Sequence, residues 1–172
     1  MSDEWNYECR TTCQEIIPNL WLGPHTVGRN LDFLQSLHVQ CIVLVKDDNP
    51  AENASLRERF PHAFEYLAVL MTDSPTVSCM HAFSSASGRL LDGGVLVLGS
   101  AGMNRSAAFV AALLIKHNHL SAEEALDLIT SRRCCVIVSA SLRAQLSEFH
   151  LLQTRNAVEP TRSARKRREG ES

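Results

Sequence analysis

The sequence has no long apolar run and no strong excess of charge of either sign. No stretch approaches the roughly 20 apolar residues that a membrane-spanning helix needs. Residues 1–5 are acidic and lack the apolar core of a signal peptide. The formal net charge of −2 gives no general attraction to nucleic acid. These absences predict a protein of the cytoplasm, the nucleus or both, with neither a membrane nor a nucleic acid as partner.

The six cysteines also lack the spacing of a redox or metal motif, because no pair stands as Cys-x-x-Cys. Without a signal peptide we expect reduced thiols, and Cys41, inside an apolar run, is interpreted as a core residue. Cys134 and Cys135 leave two alternatives, a redox pair or two ordinary thiols at a helix end. The acidic pair Asp47 and Asp48 has no partners at ligand spacing, which favours a solvated turn. We therefore expect neither a metal nor a cofactor.

One stretch, residues 95–110, changes character twice along its length. Val95–Leu98 is an apolar run typical of a strand, 99–104 is a loop of small residues, and 105–110 is apolar and alanine-rich, as in a helix. Backbone N–H groups converge at such a helix start, where the macrodipole adds about half a positive charge. Glycine-containing strand–turn–helix units also occur as plain structure in α/β proteins, so this pattern alone leaves both interpretations open.

The anion-site interpretation assigns the loop residues to phosphate binding. Arg105 supplies a permanently charged, planar fork that matches two phosphate oxygens. The candidate phosphate-binding residues are Ser100, Ala101, Gly102, Met103, Asn104 and Arg105.

The spacing in this loop resembles that of the dual-specificity (cysteine-dependent) phosphatases. That family has His-Cys, two residues, Gly, two residues, Arg and then Ser or Thr. Gly102, Arg105 and Ser106 match the last three positions, but Gly99 stands at the cysteine and Leu98 at the histidine. Since only a thiolate attacks phosphorus in this chemistry, the resemblance is to inactive members with glycine at the nucleophile position. We expect no catalytic residue and a degenerate site made of Leu98, Gly99, Asp73 and Ser106.

The resemblance also assigns roles to residues outside the loop. Asp73 stands where the family has its general acid, although aspartate before Ser-Pro is also an ordinary turn residue. Ser106, which in the family assists departure of the thiolate, is expected here to cap a helix or orient the loop. Ile137–Ser141 replaces the Asn-Pro-Asn element of the family, and this departure predicts that the loop loses polar support.

Strands separated by helices predict an α/β fold. The resemblance implies the dual-specificity-phosphatase-like version, a central, mostly parallel sheet flanked by helices. Expected elements are a hairpin over 15–23, strands over 41–45 and 64–71, a helical or mixed segment over 81–91, and helices over 31–37, 106–118, 121–132 and 142–152. In the last helix, we expect Leu142, Leu146, Phe149 and Leu152 to face inward.

Three segments are predicted from these patterns. Residues 1–12 form an N-terminal arm, 13–155 the inactive phosphatase-like domain, and 156–172 a basic, disordered tail. From Pro160 onward the chain carries a net charge of +3, which fits a nuclear-import signal, a nucleic-acid patch or a solvated tail.

The sequence therefore predicts a pseudophosphatase that binds proteins, including phosphorylated Ser, Thr or Tyr segments. Mitogen-activated protein kinases and ubiquitin-ligase substrate receptors are the partners that the resemblance implies. The alternatives are a scaffold with an unused phosphate loop and, third, an active phosphatase.

Overall fold

The computed structural model describes residues 3–74, 78–85 and 93–168. A mixed sheet forms its centre. The strands are β1 (Gln14–Ile17), β2 (Leu20–Pro24), β3 (Val39–Lys46), β4 (Glu65–Leu70) and β5 (Gly94–Gly99). The helices are α1 (Asp3–Thr11), α2 (Leu31–Ser36), α3 (Pro50–Asn53), α4 (Met80–Ser85), α5 (Arg105–Asn118), α6 (Ala122–Arg132) and α7 (Ala140–Arg168), with a 3₁₀ helix over His25–Arg29.

The sheet has the order β1-β2-β5-β3-β4, in which only the β1–β2 pair is antiparallel. The predicted α/β class and the mostly parallel sheet are confirmed. The hairpin, the strands near residues 42 and 67, and the helices after residues 105 and 121 are also present. Ser121 and Glu124 form the reciprocal capping box that the sequence predicts at the start of α6.

Strand β5 lies at the centre of the sheet and is buried along its whole length. Because successive side chains alternate across a strand, Val95 and Val97 pack on the face covered by α5, α6 and α7. Leu96 and Leu98 pack on the opposite face. Helix α5 is buried from Ser106 to Ile115, so the loop between β5 and α5 is anchored by core elements at both of its ends.

The last helix differs from its prediction in two respects. Leu142, Leu146 and Phe149 are buried as expected, but Leu152 is 39% exposed, so the inward face of α7 does not include it. The tail expected to be disordered from residue 156 is helical as far as Arg168. Its Ala, Arg, Lys and Glu residues are strong helix formers.

The remaining expectations concern the N-terminus and residues 81–91. The N-terminal arm contains α1, and Cys9 near its end is buried. The helical segment expected over 81–91 is described only to residue 85, and residues 86–91 lie outside the described part of the chain. Across the described ranges, no helix combines the length and apolar character needed to cross a membrane.

Candidate functional site

The loop between β5 and α5 lies at the carboxyl ends of the parallel strands, where open α/β sheets place their ligand sites. It surrounds a cavity of about 310 Å³. The lining residues are Val45, Glu52, Asp73, the whole stretch from Gly99 to Ser106, and Ile137. The structure therefore brings together the predicted phosphate-binding residues and Asp73.

Gly102 is required by the shape of the loop. Its φ of +66° is in the left-handed region, and a Cβ there would collide with the backbone of Gly23. The loop thus presses directly against the end of β2, and this close approach holds its backbone in place.

The nucleophile position at Gly99 is filled by a neighbouring side chain. A Cβ built on Gly99 would lie 2.5 Å from Oγ and 2.9 Å from Cβ of Ser106. Ser106 is 2% exposed, and the N-cap of α5 is Asn104, which makes no side-chain capping bond. The prediction that Ser106 caps the helix is therefore wrong, because its side chain turns into the space that the missing side chain leaves.

Leu98 points away from the cavity and packs with the apolar cluster that includes Ile42 and Leu44. The polar support that a histidine would give at this position comes instead from His25, at the start of the 3₁₀ helix. Its Nδ1–H donates to the carbonyl of Ser100 at 2.7 Å. Sequence reasoning missed His25, because the two residues are 75 positions apart in the chain.

Arg133 holds the other side of the loop and is completely buried. Its Nε donates to the Gly102 carbonyl at 2.8 Å and its Nη2 to the Ala101 carbonyl at 3.0 Å. Its Nη1 donates to the N-terminal segment, at the Cys9 carbonyl, the Thr12 carbonyl and Oε1 of Gln14. One guanidinium therefore ties the loop to the N-terminal segment. The sequence offers only an Arg-Arg pair at a helix end, which normally indicates a solvated terminus.

A second polar network replaces the missing Asn-Pro-Asn element. The carboxylate of Asp73 accepts from Nδ2 of Asn104 and from Oγ of Ser139, both at 2.7 Å. Oδ1 of Asn104 accepts from the Ser139 backbone N–H at 2.9 Å, and the Ile137 N–H donates to the Met103 carbonyl. The prediction that this segment gives the loop no polar support is wrong, since backbone and serine groups supply it. Asp73 lies at the cavity, but both of its oxygens are engaged in structure.

Arg105 is bound by carboxylates from the segment after β3. Its Nη1 pairs with Oδ2 of Asp47, and its Nη2 donates to Oε2 of Glu52 at 2.7 Å. The Arg105 side chain is 19% exposed, and burial lowers the pKa of this group. The expectation of a solvated turn is wrong for Asp47, because the carboxyl end of β3 lies beside the start of α5. This contact is invisible in sequence, since 53 positions separate Glu52 from Arg105.

Arg105 is paired with carboxylates, but the backbone N–H groups of the loop are not paired in this way. None of the N–H groups of Ser100, Ala101, Gly102 and Met103 donates a hydrogen bond to another described residue. They line the cavity at the start of α5, where the helix dipole favours an anion, and the carboxylates of Glu52 and Asp73 line the same cavity.

Within the described part of the chain, none of the six cysteines is among the residues that line this cavity. None of them forms a disulfide bond with another described residue. Burial raises the pKa of Cys79, whose Sγ lies 3.4 Å from the carbonyl of Thr72, and burial raises the pKa of Cys41 to about 11. Among the described residues, no group of three His, Cys, Asp or Glu side chains is placed to hold a metal ion.

The chain resembles known phosphatases in sequence. The family model for "Dual specificity phosphatase, catalytic domain" matches residues 20–151. A Homo sapiens protein named serine/threonine/tyrosine-interacting protein is 31% identical over 158 residues, covering 88% of this chain and 70% of the relative. The Mus musculus protein of that name is 30% identical with the same coverage.

Solved structures agree with these matches. The crystal structure of human tyrosine phosphatase-like serine/threonine/tyrosine-interacting protein superposes with a TM-score of 0.74 at 28% identity. It covers 83% of this chain and 98% of that one. The structure of human DUSP28, with a TM-score of 0.70 at 22% identity, shares the fold. The resemblance inferred from the loop spacing is confirmed.

The replacement Arg133→Ala should destabilise the protein by about 3 kcal/mol or more, because buried carbonyls of the loop lose their charged donor. Urea unfolding followed by circular dichroism measures this free energy. Arg132→Ala is the matched control, since that neighbouring side chain is exposed and its loss should cost little. Equal effects of the two replacements would contradict the bracing role of Arg133.

The replacement Gly99→Cys should destabilise the chain by about 1–3 kcal/mol, because the new Cβ overlaps Ser106. The same replacement in a Ser106→Gly background should cost less, since both overlapping atoms are gone. A double-mutant cycle of unfolding free energies measures this coupling, and additive effects would show that Ser106 does not fill the position.

Proposed function

The chain belongs to the dual specificity phosphatase family, and we propose that it is a catalytically inactive member whose phosphate loop binds proteins carrying phosphorylated Ser, Thr or Tyr. One observation carries the proposal: the nucleophile position has no side chain and is closed by Ser106, while the loop around it is kept. A site that has lost its reacting atom and kept its anion donors is suited to binding.

The absence of turnover follows from the chemistry of the family. Hydrolysis requires a thiolate that forms a covalent phosphoenzyme, and Gly99 has no atom that attacks phosphorus. The candidate general acid is also unsuited, because Asp73 accepts hydrogen bonds from Asn104 and Ser139. Both carboxylate oxygens are thus occupied by donors from the loop and from Ser139, and neither is free to approach a leaving group.

Three features support binding of a phosphorylated side chain. The loop residues from Ser100 to Met103, Arg105 and Ile137 all line one cavity, and Ile137 is 68% exposed. A phosphoryl group would accept hydrogen bonds from the amides and the guanidinium, and an apolar residue beside it would contact Ile137. The partner therefore presents a phosphate next to an apolar side chain.

A second candidate function is favoured by the ion pairs of Arg105. If Asp47 and Glu52 hold this arginine permanently, the loop is structural and partners bind elsewhere on the surface. Such a scaffold would bind phosphorylated and plain partners alike. In either case we propose mitogen-activated protein kinases or ubiquitin-ligase substrate receptors as partner classes, and the cytoplasm or nucleus as location.

The purified protein should not hydrolyse p-nitrophenyl phosphate above background, because no phosphoenzyme can form at Gly99. Absorbance of released nitrophenolate measures turnover. Arg105→Ala purified in parallel is the control, since a contaminating phosphatase gives the same rate in both samples. Hydrolysis by the wild type that disappears in this variant would contradict the proposal of an inactive protein.

Arg105→Ala should weaken binding of a phosphopeptide by about tenfold or more and leave the plain peptide unaffected, because charge-assisted hydrogen bonds contribute roughly 1.5–3 kcal/mol. Calorimetric titration with matched phosphotyrosine and tyrosine peptides, and with the phosphoserine and serine pair, measures the difference. Arg59→Ala is the control, as it removes the same charge from an exposed position. Equal affinities for phosphorylated and plain peptides would favour the scaffold.

A further inference from the structure

The residues that bind Arg105 come from one short, ordered segment, residues 47–53. Asp47 follows β3, and Glu52 lies on α3. The two carboxylates approach different nitrogens of the same guanidinium, so together they satisfy the fork that a phosphoryl group would use. The ion pairs thus lie at the candidate phosphate site itself.

Internal hydrogen bonds fix the shape of this segment. Asn53 accepts from the Asp47 N–H at 2.8 Å and donates to the Asp47 carbonyl. Oδ1 of Asp47 accepts from the Asn49 N–H, and the side chain of Asn49 caps α3 by accepting from the Ala51 N–H at 3.1 Å. Because Asp47 is held by its neighbours, its second oxygen is presented to Arg105 without a large ordering cost.

The two carboxylates differ in how firmly they are placed. The Asp47 side chain is 12% exposed, whereas that of Glu52 is 48% exposed. An ion pair this open to water contributes little to stability, so Glu52 can leave Arg105 readily. Asp47 is the more shielded partner and is harder to displace.

We propose that Asp47 and Glu52 form a displaceable gate that competes with an entering phosphoryl group for Arg105. This inference rests on the proposed function, because it concerns the same loop. The gate occupies the arginine and leaves the amides of Ser100 to Met103 without a described acceptor. An anion that engages both sets of donors gains contacts that the gate does not make.

The gate selects phosphate over carboxylate. A phosphate monoester carries a charge of about −1.5 to −2 near pH 7 and three acceptor oxygens, enough to reach both the amides and Arg105. A partner's Asp or Glu side chain would only exchange one carboxylate for another. It would also have to compete with groups that the chain itself holds at high effective concentration. Acidic segments without phosphate are therefore rejected.

Titration with inorganic phosphate and, separately, with acetate tests the gate. Amide chemical shifts of Ser100 to Arg105 in ¹⁵N-labelled protein report occupancy of the loop. In the double variant Asp47→Asn/Glu52→Gln we expect phosphate to bind at least tenfold tighter than in wild type, and acetate to become detectable. Glu52→Gln alone should give part of the gain.

The matched control is Asp48→Asn/Glu58→Gln, which makes the same change in net charge at two exposed positions of the same region. It should change phosphate affinity by less than twofold. A larger gain in the gate variant would then come from loss of the ion pairs to Arg105 and not from the change in net charge. Arg105→Ala added to the gate variant should abolish the gain. Thermal unfolding of each variant verifies that it is folded.

The outcomes distinguish the gate from the function on which it rests. Phosphate binding that depends on Arg105 but is equal in wild type and the gate variant would overturn the gate and leave the phosphate site standing. An equal gain in the charge-matched control would also overturn the gate. No phosphate binding to the loop in any variant would overturn both the gate and the proposed function.

Discussion

The buried guanidinium of Arg133 is the contact on which the shape of the site depends. A charged group with no exposure is stable only when its donors are satisfied, and here backbone carbonyls of the loop and of the N-terminal segment satisfy it. The carbonyls of Ala101 and Gly102 are thereby turned toward Arg133, and in each planar trans peptide the N–H points the opposite way. Arg133 thus both supports the loop and sets the direction of its donors.

This arrangement explains how the loop persists without the residues that support it in active phosphatases. His25 replaces the support that Leu98 cannot give, and Ser139 with Asp73 replaces the Asn-Pro-Asn element. Each substitute forms a direct hydrogen bond to the loop or to Asn104. The supporting contacts are made to backbone groups of the loop and to Asn104, so the shape of the loop does not depend on a side chain at position 99.

Features formed by residues close together in the sequence could be predicted, whereas contacts between residues far apart in the chain could not. The strand, loop and helix around Gly102 could be predicted, because an apolar run, a loop of small residues and an alanine-rich segment follow one another in the sequence. The glycine stands where the loop has a positive φ. Asp73 could be placed at the cavity because a family spacing located it. Arg133, His25 and Glu52 could not, because single polar residues far apart in the chain carry no periodic signal. For Ser106 the error had another cause, since capping is the usual role of serine near a helix start, and the empty space beside Gly99 outweighed it.

The cavity has two sets of hydrogen-bond donors, the loop amides and Arg105, and the two sets differ in their partners. The amides have fixed positions and cannot be neutralised by rotation of a side chain, so their preference for an anion persists whatever the state of Arg105. Arg105, in contrast, carries its charge on a side chain, which Asp47 and Glu52 pair with. Without those carboxylates, a partly buried arginine would bear the cost of desolvation alone. The acidic segment therefore stabilises the charge of Arg105, and under the proposed gate an anion that binds there must displace those carboxylates.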